Sequence, residues 1–174
     1  MNISKDKTNL SGKKKKVDPG RIMTNPWTFI SFGFGSGLSP VAPGTMGTLV
    51  AIPVYFLMNH LPFWGYWAVL SVIFVLGVWT STQTEHQLDV HDHSGVVIDE
   101  IAGFLITMAF TSPSIPHVVA GFILFRLFDI LKPWPINWLD RRVGGGLGIM
   151  LDDVAAGFIA GGCLRLADQT MNAL

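Results

Sequence analysis

Positive charge is missing from most of this chain. No Lys or Arg occurs between Ile22 and Phe125. A soluble surface is normally studded with both signs, so a water-exposed globule is excluded. Charged residues make up 14% of the chain against 49% hydrophobic ones, and mean hydropathy is +0.44. The sequence reads as an integral membrane protein. Cysteine is nearly absent as well, and the single Cys163 excludes an intramolecular disulfide. A cysteine phosphatase needs an Arg six positions after its nucleophile, and Gln169 stands there. The small apolar neighbours of Cys163 suggest an inert, packed thiol. Net charge is zero, so bulk charge identifies no partner, and no nucleic acid is expected.

The positive charge that exists is concentrated. Seven of the twelve Lys and Arg lie in the first 21 residues. The run "SGKKKKVDPGRIMTNPW" leads into Gly and Ser, not into the short apolar core of a signal peptide. It reads as a solvated tail, which can also meet anionic lipid heads at ~1 kcal/mol per basic residue. We divide the chain into a basic cytoplasmic tail, 1–24, and a single membrane-embedded domain, 25–174.

Five apolar segments follow, near 47–61, 63–80, 96–111, 118–131 and 147–167. They predict an all-α polytopic membrane bundle of about five short spans, several below the ~20 residues a bilayer usually requires. Pro53 makes the first segment a candidate broken or re-entrant helix. The tail and the connection "KPWPINWLDRRVGGG" are basic, whereas "NHLP" and "TSPSIPH" carry no Lys or Arg. By the positive-inside rule the basic connections face the cytoplasm. Trp64, Trp67, Trp79, Trp134 and Trp138 fall near segment ends, as interfacial anchors do.

With that orientation the charged residues of the spans fall at one depth. Asp99 and Glu100 open the third segment, Arg126, Asp129 and Lys132 close the fourth, and Asp152 and Asp153 stand in the first turns of the fifth. An ionisable group in a span costs roughly 2.5–3.5 kcal/mol on insertion scales and marks a functional or paired site. Capping by the helix dipole explains Asp99, Asp152 and Lys132 individually. It explains neither Asp129 at a C-terminal end nor the doubled acids. Mutual pairing with Arg126 and Lys132 is one solution; a metal ion held among Asp99, Glu100, Asp152 and Asp153 is the favoured one. Oxygen donors without a Cys cluster favour Mg²⁺ or Mn²⁺ over zinc. Arg126, Asp129 and Lys132 are spaced by three and can share a helix face. Arg grips phosphate at two points. Acids for a metal beside bases for phosphate, in a membrane, suggest phosphoryl chemistry on a phospholipid.

Three further stretches bear on the site. "VIDEIAGF" echoes "MLDDVAAGF", each an acidic pair followed by small residues that let helices approach. "GFGSGLSPVAPGTMGT" is rich in Gly and leads into the first segment, where a helix N-terminus with Thr45 and Thr48 can position phosphate or the backbone. A structural turn is the plainer reading. "EHQLDVHDHSG" reads as a solvated loop, with His91 or Asp92 as supporting or acid/base groups.

The runs "SGLSPVAPGTMGT", "VVIDEIAGF", "FRLFDILKPWPI" and "GGGLGIMLDDVAAG" resemble the signature blocks of bacterial phosphatidylglycerophosphatase A, across roughly Asn25 to Ala167. The resemblance implies a Mg²⁺-dependent inner-membrane phosphatase. Such an enzyme removes the terminal phosphate of phosphatidylglycerophosphate to leave phosphatidylglycerol. Applied to this chain, the metal sits among Asp99, Glu100, Asp152 and Asp153. Arg126 and Lys132 hold phosphate, and the metal or Asp129 activates water. The rival reading is an ion-coupled transporter, which would place carboxylates near mid-membrane and show paired repeats. A CDP-alcohol phosphotransferase needs further spaced aspartates that "LDDVAAG" lacks. The oligomeric state is left open.

Overall fold

The computed structural model describes residues 19–90 and 93–172, and all regular structure among them is helical. The tetralysine run and the candidates His91 and Asp92 lie outside the described residues. Two short helices, α1 (Pro19–Thr24) and α2 (Pro26–Ser31), and a 3-10 segment (Gly33–Leu38) lead into α3 (Pro43–Met58). The chain continues through α4 (Phe63–Leu88), α5 (Ile98–Met108), α6 (Ile115–Leu131), α7 (Ile136–Arg142) and α8 (Gly145–Asn172). Local chemistry marks several starts. Asn25 caps α2, its side chain accepting from the Trp27 and Thr28 N–H groups. Ser114 caps α6 by accepting from the His117 N–H. Pro26, Pro43 and Pro116 occupy first turns, where no N–H donor is needed.

The core is built around α5. Every residue from Ile101 to Met108 is buried, and α3, α4, α6 and α8 pack around it. Its 11 residues extend only about 16 Å. That is near half of a ~30 Å hydrocarbon layer. Burial on all sides explains why its hydropathy resembles that of a span. Among the described residues, α4 and α8 are long and apolar enough to cross a bilayer by length and composition, and α3 is a shorter apolar helix. These two apolar helices suggest membrane association. The structure thus offers two candidate spans where about five were expected.

The expected break in the first segment is corrected. α3 runs uninterrupted through Pro53, which lies on its exposed side, away from the core. Cys163 is also corrected, being exposed instead of packed. On α6, Ile115, Val119, Ile123 and Leu127 form an exposed apolar stripe at four-residue spacing, the pattern of a lipid-facing helix side. Trp67, expected as an anchor, stacks on Phe158 at 6.4 Å.

Small residues set a close contact between α5 and α8. A Cβ at Gly157 of α8 would lie 2.4 Å from the Gly103 carbonyl oxygen of α5. One at Gly103 would lie 2.7 Å from the Asp153 carbonyl oxygen. Thr107 adds a bond across this interface, donating to the Gly157 carbonyl at 3.3 Å. Polar contacts hold the remaining helices. Tyr66 of α4 donates to the Leu105 carbonyl at 2.7 Å, and the Ser31 and Thr84 hydroxyls join α2 to α4 at 2.7 Å. At the far end His117 Nε2 meets Asp168 Oδ1 at 2.7 Å, tying α6 to α8.

The contact predicts opposite signs for one substitution at two neighbouring positions. Gly157→Ala forces a backbone shift and should lower the unfolding midpoint in detergent, by the equivalent of about 1–3 kcal/mol. Gly162 has nothing within 4 Å of its missing Cβ. Gly162→Ala should leave the midpoint unchanged or raise it, by up to ~1 kcal/mol of helix propensity. Equal behaviour of the two variants would contradict a close α5–α8 contact.

Candidate active site

Four helices converge at one end of the bundle. α3 and α5 begin there, α6 ends there, and α8 passes through about two turns after its start. Between them is a cavity of about 390 Å³. Six carboxylates line it, Asp99, Glu100, Asp129, Asp140, Asp152 and Asp153, with only two cations, Arg126 and Lys132. All seven charged residues expected at one depth are therefore brought together.

Asp99 and Glu100 occupy the first turn of α5, at the positive end of its dipole. The Glu100 N–H donates to Asp99 Oδ1 at 3.0 Å. Asp152 and Asp153 have no such help. Because α8 begins at Gly145, they lie beyond the first turn, where the dipole effect has faded. The expected capping role of Asp152 is corrected accordingly. What brings them in is the α5–α8 contact. Asp99 precedes Gly103 by four residues and Asp153 precedes Gly157 by four, so each acid sits one turn from the glycine that lets the backbones touch. The echo between "DEIAGF" and "DDVAAGF" is this shared face.

Asp99, Glu100 and Asp153 each offer one carboxylate oxygen, all within 4.8 Å of one another. Glu100 Oε2 is buried without a hydrogen-bond partner. Three converging hard donors, one oxygen unpartnered and an excess of acids over bases fit a hard cation. Asp152 stands beside this group, not within it. Its Oδ2 accepts from Lys132 Nζ at 2.5 Å, and its Oδ1 is buried without a partner. Asp152 and Asp153 are 6% and 3% exposed, so neither charge is satisfied by bulk water.

Both cations are engaged. Arg126 Nη1 donates to Asp129 Oδ2 at 2.5 Å and lies 3.7 Å from Glu100 Oε1, while its Nε is buried and unpartnered. This pairing answers the puzzle of an acid at the C-terminal end of α6. Lys132 Nζ bridges Asp152 and Asp140, the latter at 2.6 Å. Burial disfavours its charge, but the hydrogen bonds it donates to the two carboxylates outweigh that and hold its pKa above the usual lysine value. Its backbone is left-handed, with φ 42°, directly before Pro133.

Thr45 and Thr48 do not line the cavity; Ala42, Pro43 and Gly44 do. Thr48 is buried and donates its hydroxyl to the Gly44 carbonyl at 2.9 Å. Gly44 is the position sequence reasoning missed. A Cβ there would lie 2.1 Å from Glu100 Oε1 and 2.9 Å from Arg126 Nη1. Only a residue without a side chain lets the start of α3 approach this pair. The α3 start has no side-chain cap, and Ala42 there has φ 47°. Asp140 was also missed. It belongs to α7, which read as a basic connection. In the neighbouring loop, His93 accepts from the Gly95 N–H at 3.0 Å and packs on Phe32, while Ser94 reaches the cavity.

Residues 29–168 match the family model described as phosphatidylglycerophosphatase A. The chain is 48% identical over 154 residues to Phosphatidylglycerophosphatase A of Escherichia coli, covering 87% of this chain and 90% of that protein. It is 40% identical over 140 residues to the Haemophilus influenzae protein of the same name, covering 79% and 86%. A Bacteroides thetaiotaomicron protein provisionally named as a phosphatidylinositol-3-phosphatase is 40% identical over 140 residues, covering 74% and 84%. No solved structure matches. Over most of its length, and through every helix that lines the acidic cavity, this chain belongs to the phosphatidylglycerophosphatase A family.

Proposed function

We propose that this chain removes the terminal phosphomonoester of phosphatidylglycerophosphate to give phosphatidylglycerol, with Mg²⁺ as cofactor. The observation that carries the reading is the converging group of the half-buried Asp99 and Glu100 and the buried Asp153 beside Arg126, at one end of a bundle with apolar outer faces. Residues 25–174 act as one membrane-embedded domain behind a basic tail, 1–24. Successive helices alternate in direction: α3, α5 and α8 leave the site end, while α4 and α6 return to it. Lys132, Arg141 and Arg142 lie at or beside that end, so the positive-inside rule favours a site facing the cytoplasm from the inner membrane.

Asp99, Glu100 and Asp153 would hold the ion. When bound, it supplies charge neutralisation at the phosphoryl oxygens and a water of lowered pKa. Arg126 offers a planar two-point donor, and phosphate binding would draw it from Asp129 and Glu100. Asp129, released from that pair, accepts a proton from the attacking water. The uncapped start of α3 presents backbone N–H groups and its positive dipole end to phosphate, next to Arg126. Lys132 stabilises the glycerol oxygen as it departs. A transporter is not supported, because the acids gather at one end instead of mid-bundle.

Asp99→Asn and Asp153→Asn should each lower kcat by about 10²–10³-fold or more, measured as phosphate released from phosphatidylglycerophosphate micelles during a Mg²⁺ titration. In chelator the same variants should melt above the unsubstituted chain, because each removes one member of a crowded, like-charged group. Undiminished Mg²⁺-dependent turnover in either variant would refute the assignment. Gly44→Ala should reduce kcat/KM by roughly 10–100-fold through displacement alone, with every charge retained. Phosphate release compared across phosphatidylglycerophosphate, phosphatidic acid and a soluble phosphomonoester tests the substrate. Equal rates on all three would contradict lipid selectivity.

A further inference from the structure

A second cavity, about 370 Å³, lies on the outer face of α7. Trp134, Asn137, Trp138, Arg141 and Arg142 line it. None of them lines the acidic cavity. Ile136, fully buried, fixes α7 to the bundle, and Asp140 on the same helix holds Lys132. The remaining residues project outward. Trp134 is 82% exposed and Trp138 50% exposed, which is unusual for large aromatic side chains in water. Neither Arg141 nor Arg142 forms an ion pair with a described residue. The Arg142 guanidinium instead stands over the Trp138 ring, 5.7 Å from its centroid.

We infer that this groove binds the phosphodiester headgroup of an anionic phospholipid of the surrounding leaflet. The charge and the shape both point there. Two guanidiniums with no carboxylate partner among the described residues carry more charge than one phosphodiester neutralises, so a headgroup of net negative charge fits better than a zwitterionic one, and Arg can bind its phosphate at two points. Exposed Trp rings flanking them suit the headgroup level, where one side of the ring meets acyl chain and the other water. The ligand is a separate lipid molecule because the groove and the acidic cavity share no lining residue. Through Asp140 and Lys132 the bound lipid steadies α7 against the acidic cavity.

The test uses the full chain in a neutral detergent. Its unfolding midpoint is followed while monomeric dihexanoyl phosphatidylserine or dihexanoyl phosphatidylcholine is added. Phosphatidylserine should raise the midpoint and phosphatidylcholine should not. The double variant Arg141→Gln/Arg142→Gln should need about thirtyfold more phosphatidylserine for the same rise. Arg165→Gln, at the other end of α8, should respond like the unsubstituted chain. The same response in the double variant, or an equal response to phosphatidylcholine, would overturn the proposal. This titration reads binding independently of the enzyme reading. A second arm identifies the source of the phosphodiester. KM for phosphatidylglycerophosphate at saturating phosphatidylserine should be unaltered by the double substitution. A raised KM there would show that the groove takes the substrate's own diester, and would overturn the separate-lipid assignment.

Discussion

Two backbones touching at Gly103 and Gly157 determine where the acids of this protein lie. A side chain at either glycine would collide with backbone across the interface. One turn toward the cavity, the same helix faces carry Asp99 and Asp153. Glu100 joins them from the adjacent position, and the three carboxylates approach within 4.8 Å. Burying ionised carboxylates together is expensive unless an opposite charge accompanies them. Arg126 reaches Glu100 and Asp129, and Lys132 reaches Asp152 and Asp140. That leaves Asp99 and Asp153 without a basic ion-pair partner among the described residues. A divalent cation held there, as proposed above, would supply the missing charge and would equip the cavity for phosphoryl chemistry.

The rest of the bundle holds this contact in place. α5 is too short to cross a bilayer and is covered by α3, α4, α6 and α8. Its burial keeps the carboxylates inside the bundle, while α4 and α6 turn exposed apolar side chains outward. Chain direction does the remaining work. Helices that begin at the site contribute acids and free N–H groups, and α6, which ends there, contributes Arg126, Asp129 and Lys132. α7 closes the cavity with Asp140 and turns its arginines outward.

The charged residues were legible in the sequence because an acid in an apolar segment has few explanations, and five of them fell at one depth. Their division of labour was not legible. Asp152 and Asp153 are neighbours in sequence, yet helix rotation sends one to Lys132 and the other to Asp99. Thr45 and Thr48 looked suited to phosphate by composition, but the helix turns them away and spends the Thr48 hydroxyl on Gly44. Gly44 itself carries no chemical signal, since what matters is the side chain it lacks. Hydropathy alone does not give the span count, because a fully buried helix such as α5 is as apolar as a lipid-facing one; two helices are long and apolar enough among the described residues. Asp140 was hidden in a short helix that reads as a charged connection.

The most direct measurement is a Mn²⁺ titration of the purified chain followed by electron paramagnetic resonance, with Mn²⁺ standing in for Mg²⁺. The account predicts an ion held tightly by the unsubstituted chain and lost from both Asp99→Asn and Asp153→Asn, while Asp168→Asn at the far end retains it. Undiminished Mn²⁺ binding by the Asp99 and Asp153 variants would contradict it.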